Sequence, residues 1–175
     1  MSVTEESNGV MSEPNVILDL ELLCLLMVAN GAPIIARKVF GVRFAMPVDL
    51  NARLWDRRPF FGPSKTYRGL AAAVAASAAA AALLGLGAAF GALFGLCAMG
   101  GDLLSSFIKR RLSVPPSDSA PVLDQVPEAA APLLVLWPWL GIGVLDGIIV
   151  VAGFFVVEVL LSRVLYRMHI RKRPI

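Results

Sequence analysis

Long apolar runs alternate with short polar segments along the chain. Each run is close to the roughly 20 apolar residues that a helix needs to cross a bilayer. The predicted membrane-spanning helices cover residues 16–36, 69–87, 88–108, 124–143 and 147–166. The pattern therefore predicts an all-α, polytopic bundle of about five transmembrane helices.

Composition supports a membrane protein with one domain. Of 175 residues, 57% are hydrophobic and only 17% are charged, whereas a soluble domain is about half apolar and a quarter charged. We predict a single integral-membrane domain over residues 16–166, between a disordered tail at 1–15 and a basic tail at 167–175. The first tail contains no Lys or Arg, so it lacks the basic region of a signal peptide, and we expect the first apolar run to be retained.

The basic residues occupy alternate polar segments. All 16 Lys and Arg residues fall within segments 37–68, 109–123 and 163–175. Cytoplasmic segments of membrane proteins are enriched in these residues, so we predict an outside N-terminus, a cytoplasmic C-terminus and two cytoplasmic loops, 37–68 and 109–123. Membrane topology thus explains the excess of basic over acidic residues, and nucleic acid is not an expected partner.

The end of the third apolar run carries its polar residues on one side. At about 100° per residue, one helical face combines Asp102, Ser105, Ser106, Lys109 and Arg110. An acid at the centre of a membrane helix costs roughly 2.5–3.5 kcal/mol on insertion scales. An ordinary helix end with headgroup-anchoring cations would explain Lys109 to Arg111 but not Asp102 or the two serines.

A second polar element precedes the second apolar run. Gly62-Pro63 predicts a turn, and Ser64 or Thr66 is suited to cap the helix that follows. Free N–H groups at a helix start, next to Lys65 and Arg68, favour phosphate binding. The alternative is a solvated loop with anchoring cations.

Other residues have simpler interpretations. Gly87, Gly91 and Gly95 are spaced four apart, which allows close helix packing. Cys24 and Cys97 have no metal-site spacing, and His169 is the only histidine, which argues against a Ser-His-Asp triad or a histidine metal site. Asn30 and Pro33 interrupt the first run, as a kink or as part of a site. Glu158 lies inside the fifth run and requires a partner or a cavity.

The cytoplasmic side combines cations with carboxylates. These are Lys65, Arg68, Lys109 and Arg110 with Asp102, Asp118, Asp124 and Glu128. Mg²⁺ is held by one or two carboxylates together with substrate phosphates, and Lys and Arg stabilise the charge of a transferring phosphoryl group. No P-loop sequence is present. The pattern favours a site where a lipid phosphate meets a soluble nucleotide.

Several motifs resemble those of known membrane cytidylyltransferases. Gly101-Asp102 followed by Ser106 and Lys109-Arg110 is similar to the signature of the phosphatidate enzymes. The shorter CDP-archaeol synthase family is matched more closely, by the following elements in order: Pro47-Val48-Asp49, Arg57-Arg58, Gly62 to Gly69 and Leu123-Asp124-Gln125. The resemblance covers about residues 28–128. It departs after Gln125, where Pro127 precedes Glu128 and we expect Glu128 to substitute for the family's next acid.

The resemblance implies a reaction and a set of roles. CTP and a lipid phosphate would give a CDP-lipid and pyrophosphate with Mg²⁺ as cofactor, on the cytoplasmic side of the plasma membrane. Asp102, Lys109 and Asp124 would be catalytic, with Asp102, Asp124 and Glu128 as metal ligands. The substrates would be held by Lys65, Thr66, Arg68, Ser106, Arg110 and Gln125. Second choices are Asp49, Asp56, Arg57 and Arg58.

Two other functions use the same charges. An anion transporter would bind phosphate without turnover, although an odd number of spans without an internal repeat does not suggest inverted symmetry. A non-catalytic membrane interaction protein would use the charges for topology alone. The sequence is compatible with a homodimer and leaves the lipid, isoprenoid ether or diacyl, open.

Cysteine labelling tests the predicted topology. In a background with Cys24 and Cys97 replaced by Ala, an impermeant maleimide added to intact cells should label a cysteine at Ser7 but not one at Ser113. Equal labelling of both positions would contradict the predicted orientation.

Overall fold

The computed structural model describes residues 15–114 and 121–167, and within these ranges the backbone forms five α-helices. They are α1 (Val16–Phe40), α2 (Tyr67–Leu83), α3 (Ala88–Arg111), α4 (Pro121–Leu140) and α5 (Val144–Arg167). The loop from α1 to α2 contains two isolated bridges, Pro47 with Thr66 and Arg53 with Pro59. The all-helical prediction is confirmed for the described residues. The predicted tail at 1–14, Asp118, and His169 with the last basic residues lie outside them.

The helices begin and end at positions that differ from the predicted spans. α1 continues beyond residue 36 to Phe40, because Arg37 and Lys38 in its last turn are favourable next to the negative helix end. It also continues through Pro33. Gly41, with φ of 57°, then ends it.

The fifth helix begins earlier than the predicted residue 147, so Asp146 and Gly147 both lie inside α5. The chain turns at Gly141, whose φ is 61°. One carboxylate oxygen of Asp146 accepts a hydrogen bond from the Gly143 N–H at 2.7 Å, which caps the helix start. The other accepts from the Asn15 N–H at 3.2 Å, and so joins the beginnings of α1 and α5.

The helix surfaces are apolar both inside and outside the bundle. The buried core includes Leu22, Leu25, Leu26, Phe94, Leu136 and Phe154. The outer surface exposes more than half of Ile17, Leu20, Leu134, Ile148 and Leu160. Val16–Phe40, Ala88–Arg111 and Val144–Arg163 are long and apolar enough to cross a membrane, and α2 is a shorter apolar helix. This distribution is that of a helical bundle surrounded by lipid.

One end of the bundle gathers four helix termini. The Arg68 side chain, at the start of α2, donates to the carbonyls of Gly41 and Arg43 just after α1. Lys65 of the loop pairs with Asp102 of α3, and Lys109 of α3 pairs with Asp124 of α4. The polar segments separated in the sequence therefore meet at one polar end.

Glycines set the distance between α2 and α3. A Cβ on Gly91 would collide with the Ser77 carbonyl, and one on Gly95 would lie 2.8 Å from the Ser77 side chain. The predicted packing role is thus confirmed for these two glycines. Gly87 differs, because nothing lies near it and its φ of 89° serves the turn before α3.

Gly101 brings α3 against α4. A Cβ there would collide with the carbonyl oxygen of Pro127 and would lie 2.8 Å from the Cα of Glu128. Backbone atoms cannot move aside as a flexible side chain can. The residue before Asp102 is therefore the point of closest approach to the helix that carries Asp124 and Glu128.

Replacing Gly101 by Ala should separate α3 from α4. We expect the free energy of unfolding to fall by about 1–3 kcal/mol, the usual cost of overpacking, as measured by thermal unfolding in detergent. Gly100→Ala is the matched control, because a Cβ at Gly100 meets nothing within 4 Å. Equal stability of the two variants would contradict the proposed close contact.

Candidate active site

The predicted polar face of α3 points into the bundle. Ser105, Ser106, Lys109 and Arg110 are buried, whereas Leu104 on the other face is more than half exposed. Asp102 begins this face, with its side chain 21% exposed. The face thus presents an acid, two hydroxyls and two cations to the neighbouring helices.

The Lys65 ammonium group binds both carboxylate oxygens of Asp102. Its Nζ lies 2.5 Å from Oδ1 and 2.5 Å from Oδ2. A turn positions Lys65 by a hydrogen bond from its N–H to the Gly62 carbonyl, and the Val48 N–H donates to the Lys65 carbonyl at 2.8 Å. Thr66 then caps α2, because its hydroxyl accepts from the Gly69 N–H at 3.2 Å. The loop therefore holds the lysine over the α3 acid.

Asp124 lies opposite the next turns of α3. Its carboxylate forms an ion pair with Lys109, and the Ser105 hydroxyl lies 3.0 Å from its Oδ1. The family resemblance implied Ser106, and not Ser105, as a substrate-binding residue. Both serines belong to the polar face of α3. Only the position of α4 shows that Ser105 is the serine that contacts Asp124.

Glu128 and Glu158 extend the acidic group into the bundle. Both are buried, and Glu128 lies within electrostatic range of Asp102, Lys65, Asp124 and Glu158. Its Oε1 has no hydrogen-bond partner among the described residues, and the same is true of the buried Oε1 of Gln125. Glu158, whose surroundings the sequence left open, is thus next to the candidate site.

A magnesium ion at these carboxylates would need further ligands from a substrate. Within residues 15–114 and 121–167, no three acidic, histidine or cysteine side chains converge closely enough to hold a metal alone. Mg²⁺ is usually held by one or two carboxylates, with substrate phosphates and water completing its shell. The unpartnered Glu128 oxygen and the remaining lone pairs of Asp102 and Asp124 are ligands of this kind.

Two residues expected to bind substrate already hold the local backbone. Thr66 caps α2, as described. Arg68 donates one Nη1 to two carbonyls, at 2.8 Å to Gly41 and 2.7 Å to Arg43. These contacts fix the start of α2 to the end of α1, so Arg68 contributes its charge to the site from a fixed position.

Asp49, a second choice for function, organises the loop. One carboxylate oxygen accepts from the N–H groups of Phe61 and Gly62, and the other accepts from Asn51. Burial raises the pKa of the Asp49 carboxyl, but these hydrogen bonds outweigh burial and lower the pKa below its ordinary value. Asp49 therefore stabilises the fold of the loop.

The other second choices anchor the loop to α3. Asp56 pairs with Arg111 at 2.5 Å, and the Arg58 Nη1 donates to the Arg111 carbonyl at 2.7 Å and to the Arg110 carbonyl at 3.3 Å. The Arg111 guanidinium also lies over the Phe107 ring. Arg57 lies between Asp56 and Arg58 with a φ of 59°.

A cavity of about 660 Å³ lies beside the Lys65–Asp102 pair. Its polar lining includes Asn30, Arg37, Lys65, Thr66, Arg68 and Asp102. Its apolar lining includes Ile34, Val42, Val48, Leu70, Met99 and Leu103. The volume and the mixed lining suit a molecule with both a charged and an apolar part.

A family model described as CarS-like CDP-archaeol synthase matches residues 76–174. The chain belongs to this family. The curated CDP-archaeol synthase of Hyperthermus butylicus is 37% identical, over 63% of this chain and 67% of that protein. That of Pyrobaculum calidifontis is 33% identical, over 84% of this chain and 90% of that protein.

A solved structure agrees with this assignment. An intramembrane enzyme for archaeal membrane lipids biosynthesis superposes with a TM-score of 0.69 and 29% identity, covering 85% of this chain and 94% of that one. The family predicted from the sequence is thereby confirmed. The chain is a multi-pass membrane protein, and its CDP-archaeol synthase relatives indicate a CTP-dependent cytidylyltransferase of lipid biosynthesis.

Arg58→Ala should destabilise this CDP-archaeol synthase family member more than it impairs chemistry. Loss of its hydrogen bonds to the α3 end should lower the free energy of unfolding by about 1–3 kcal/mol, measured by thermal unfolding. Arg57→Ala is the control, because no described residue forms a hydrogen bond with the Arg57 side chain. A large loss of turnover in Arg58→Ala at unchanged stability would instead assign Arg58 to substrate binding.

Proposed function

We propose that this protein transfers CMP from CTP to an archaeal lipid phosphate, giving a CDP-lipid and pyrophosphate. A lipid phosphate oxygen attacks the α-phosphorus of CTP, and the bond from that phosphorus to the bridging oxygen of the β-phosphate breaks. Pyrophosphate leaves with the electron pair of that bond. The reaction requires no covalent intermediate on the protein.

The observation that carries the proposal is the Lys65–Asp102 pair in the wall of an amphipathic cavity. The pair places a positively charged and a negatively charged side chain side by side. A polyphosphate attracts the lysine, while a metal ion bound to that polyphosphate attracts the carboxylate. The apolar residues in the cavity lining suit a lipid rather than a second soluble substrate.

The surrounding residues supply the remaining contacts. Lys109 and Arg110 are buried on the same α3 face as Asp102, where their charges act in a low dielectric and oppose the negative charge that develops during transfer. Ser106 is buried there as well. The Gln125 side chain, with its Oε1 unpartnered within the described chain, orients a substrate hydroxyl or amine.

Magnesium is part of the proposal. When bound, it neutralises phosphate charge and orients the triphosphate for in-line attack. Asp102, Asp124 and Glu128 are the carboxylates that would hold it. Asp102 and Asp124 each form an ion pair with a lysine in the structure, and a metal ion would replace these lysines at the carboxylates.

The polar end of the bundle also suggests the orientation. The ends of α1, α2 and α3 that carry Arg or Lys meet there, as the positive-inside pattern requires for a cytoplasmic face. CTP is a cytoplasmic metabolite, so a site at this end of a five-span protein in the plasma membrane reaches both substrates. A homodimer stays a prediction of the sequence alone.

Product analysis tests the proposed function. Purified protein incubated with CTP, Mg²⁺ and a mixture of isoprenoid-ether and diacyl glycerol phosphates should form a CDP-lipid detectable by mass spectrometry, and equimolar pyrophosphate. Asp102→Asn should form none while remaining folded. Absence of product from the folded wild-type protein would favour an anion transporter or an interaction protein.

Lys65→Ala should reduce kcat/KM about ten- to a hundred-fold, because one charge-assisted hydrogen bond is worth roughly 1.5–3 kcal/mol. Lys65→Arg should restore activity only in part, since a planar guanidinium does not replace a compact ammonium. Arg53→Ala is the matched control, because Arg53 lies in the same loop but outside the cavity. Equal losses in Lys65→Ala and Arg53→Ala would show a diffuse basic surface rather than a specific site.

A further inference from the structure

Arg37 is a cation of the cavity wall that the four family-like motifs do not include. It lies in the last turn of α1. Asn30 precedes it by seven residues and Ile34 by three, and all three line the cavity, as residues on one helical face do. One face of α1 therefore contributes both polar and apolar side chains to the cavity lining.

The other two cations of this wall have protein partners. Lys65 is paired with Asp102, and Arg68 donates to the carbonyls of Gly41 and Arg43. By contrast, the side chain of Arg37 has no hydrogen bond or ion pair with any residue in 15–114 or 121–167. An arginine that faces a cavity with its donors unused is suited to bind an anion from outside.

The position of Arg37 favours an anion that comes from the membrane. α1 is long and apolar enough to span the bilayer, and Arg37 lies in the final turn of this helix, where a headgroup phosphate is expected. Two apolar neighbours in the cavity lining, Ile34 and Val42, are 47% and 91% exposed. The cavity is thus bordered by side chains that lipid chains can contact.

We propose that Arg37 binds the phosphate of the lipid substrate and determines affinity for that substrate rather than for CTP. This inference rests on the proposed function and assigns the α1 side of the cavity to the lipid. The Lys65–Asp102 side is left for the nucleotide. Arg37 then positions the attacking phosphate oxygen without taking part in bond breaking.

Steady-state kinetics in mixed micelles separates the two substrates. With CTP saturating, Arg37→Gln should raise the KM for lipid phosphate about tenfold or more, the usual loss for a charge-assisted contact. With lipid saturating, the KM for CTP should change less than twofold. Lys38→Gln is the matched control, because Lys38 is exposed in the same helical turn but does not line the cavity. Arg37→Lys should restore part of the lipid affinity.

Other results of these measurements would overturn either this inference or the proposed function. A raised KM for CTP in Arg37→Gln would assign Arg37 to the nucleotide, and equal effects of Arg37→Gln and Lys38→Gln would show general surface charge; both overturn the inference. Thermal unfolding checks the fold, and Arg37→Lys carries the comparison if Arg37→Gln does not fold. If wild-type protein forms no CDP-lipid, the proposed function fails, whereas normal CDP-lipid synthesis with an unaffected Arg37→Gln overturns this inference alone.

Discussion

The contact of α3 with α4 at Gly101 is the constraint on which the site depends. No side chain separates the two helices there, because the Pro127 carbonyl and the Glu128 Cα occupy the space that a Cβ would need. Asp102 follows Gly101 directly, so it is brought towards Glu128, while Lys109, two turns later, reaches Asp124. One missing side chain therefore brings together acids that are more than 20 positions apart in the sequence.

The polar end of the bundle divides its charges between structure and chemistry. Asp49, Asp56, Arg58 and Arg68 hold the long loop and the helix ends through backbone hydrogen bonds or an ion pair. Those contacts fix where Lys65 lies. Asp102, Asp124 and Glu128 instead face cations or remain partly unsatisfied, as groups that bind a charged ligand do. A rigid loop and a charged, incompletely paired interior are complementary parts of one site.

Sequence patterns predicted the helices and the one-sided polar face of α3 because the membrane imposes strong rules. Apolar runs must be helical in lipid, and a one-sided polar pattern at Asp102 to Arg110 must face inwards. Helix ends were less predictable: α1 continued past residue 36, and α5 began at Val144 rather than at residue 147. The structural use of Arg68 and Arg58, and the proximity of Glu158 to Glu128, depend on tertiary contacts that local pattern does not encode.

The proposed function requires that Asp102 and a divalent ion bind the nucleotide jointly. Calorimetric titration of CTP into the purified, detergent-solubilised protein tests it most directly, with Mg²⁺ and then with EDTA. We expect binding that requires Mg²⁺ in the wild-type protein and is lost in a folded Asp102→Asn variant. Equal CTP binding in EDTA, or unchanged Mg²⁺-dependent binding in Asp102→Asn, would contradict it.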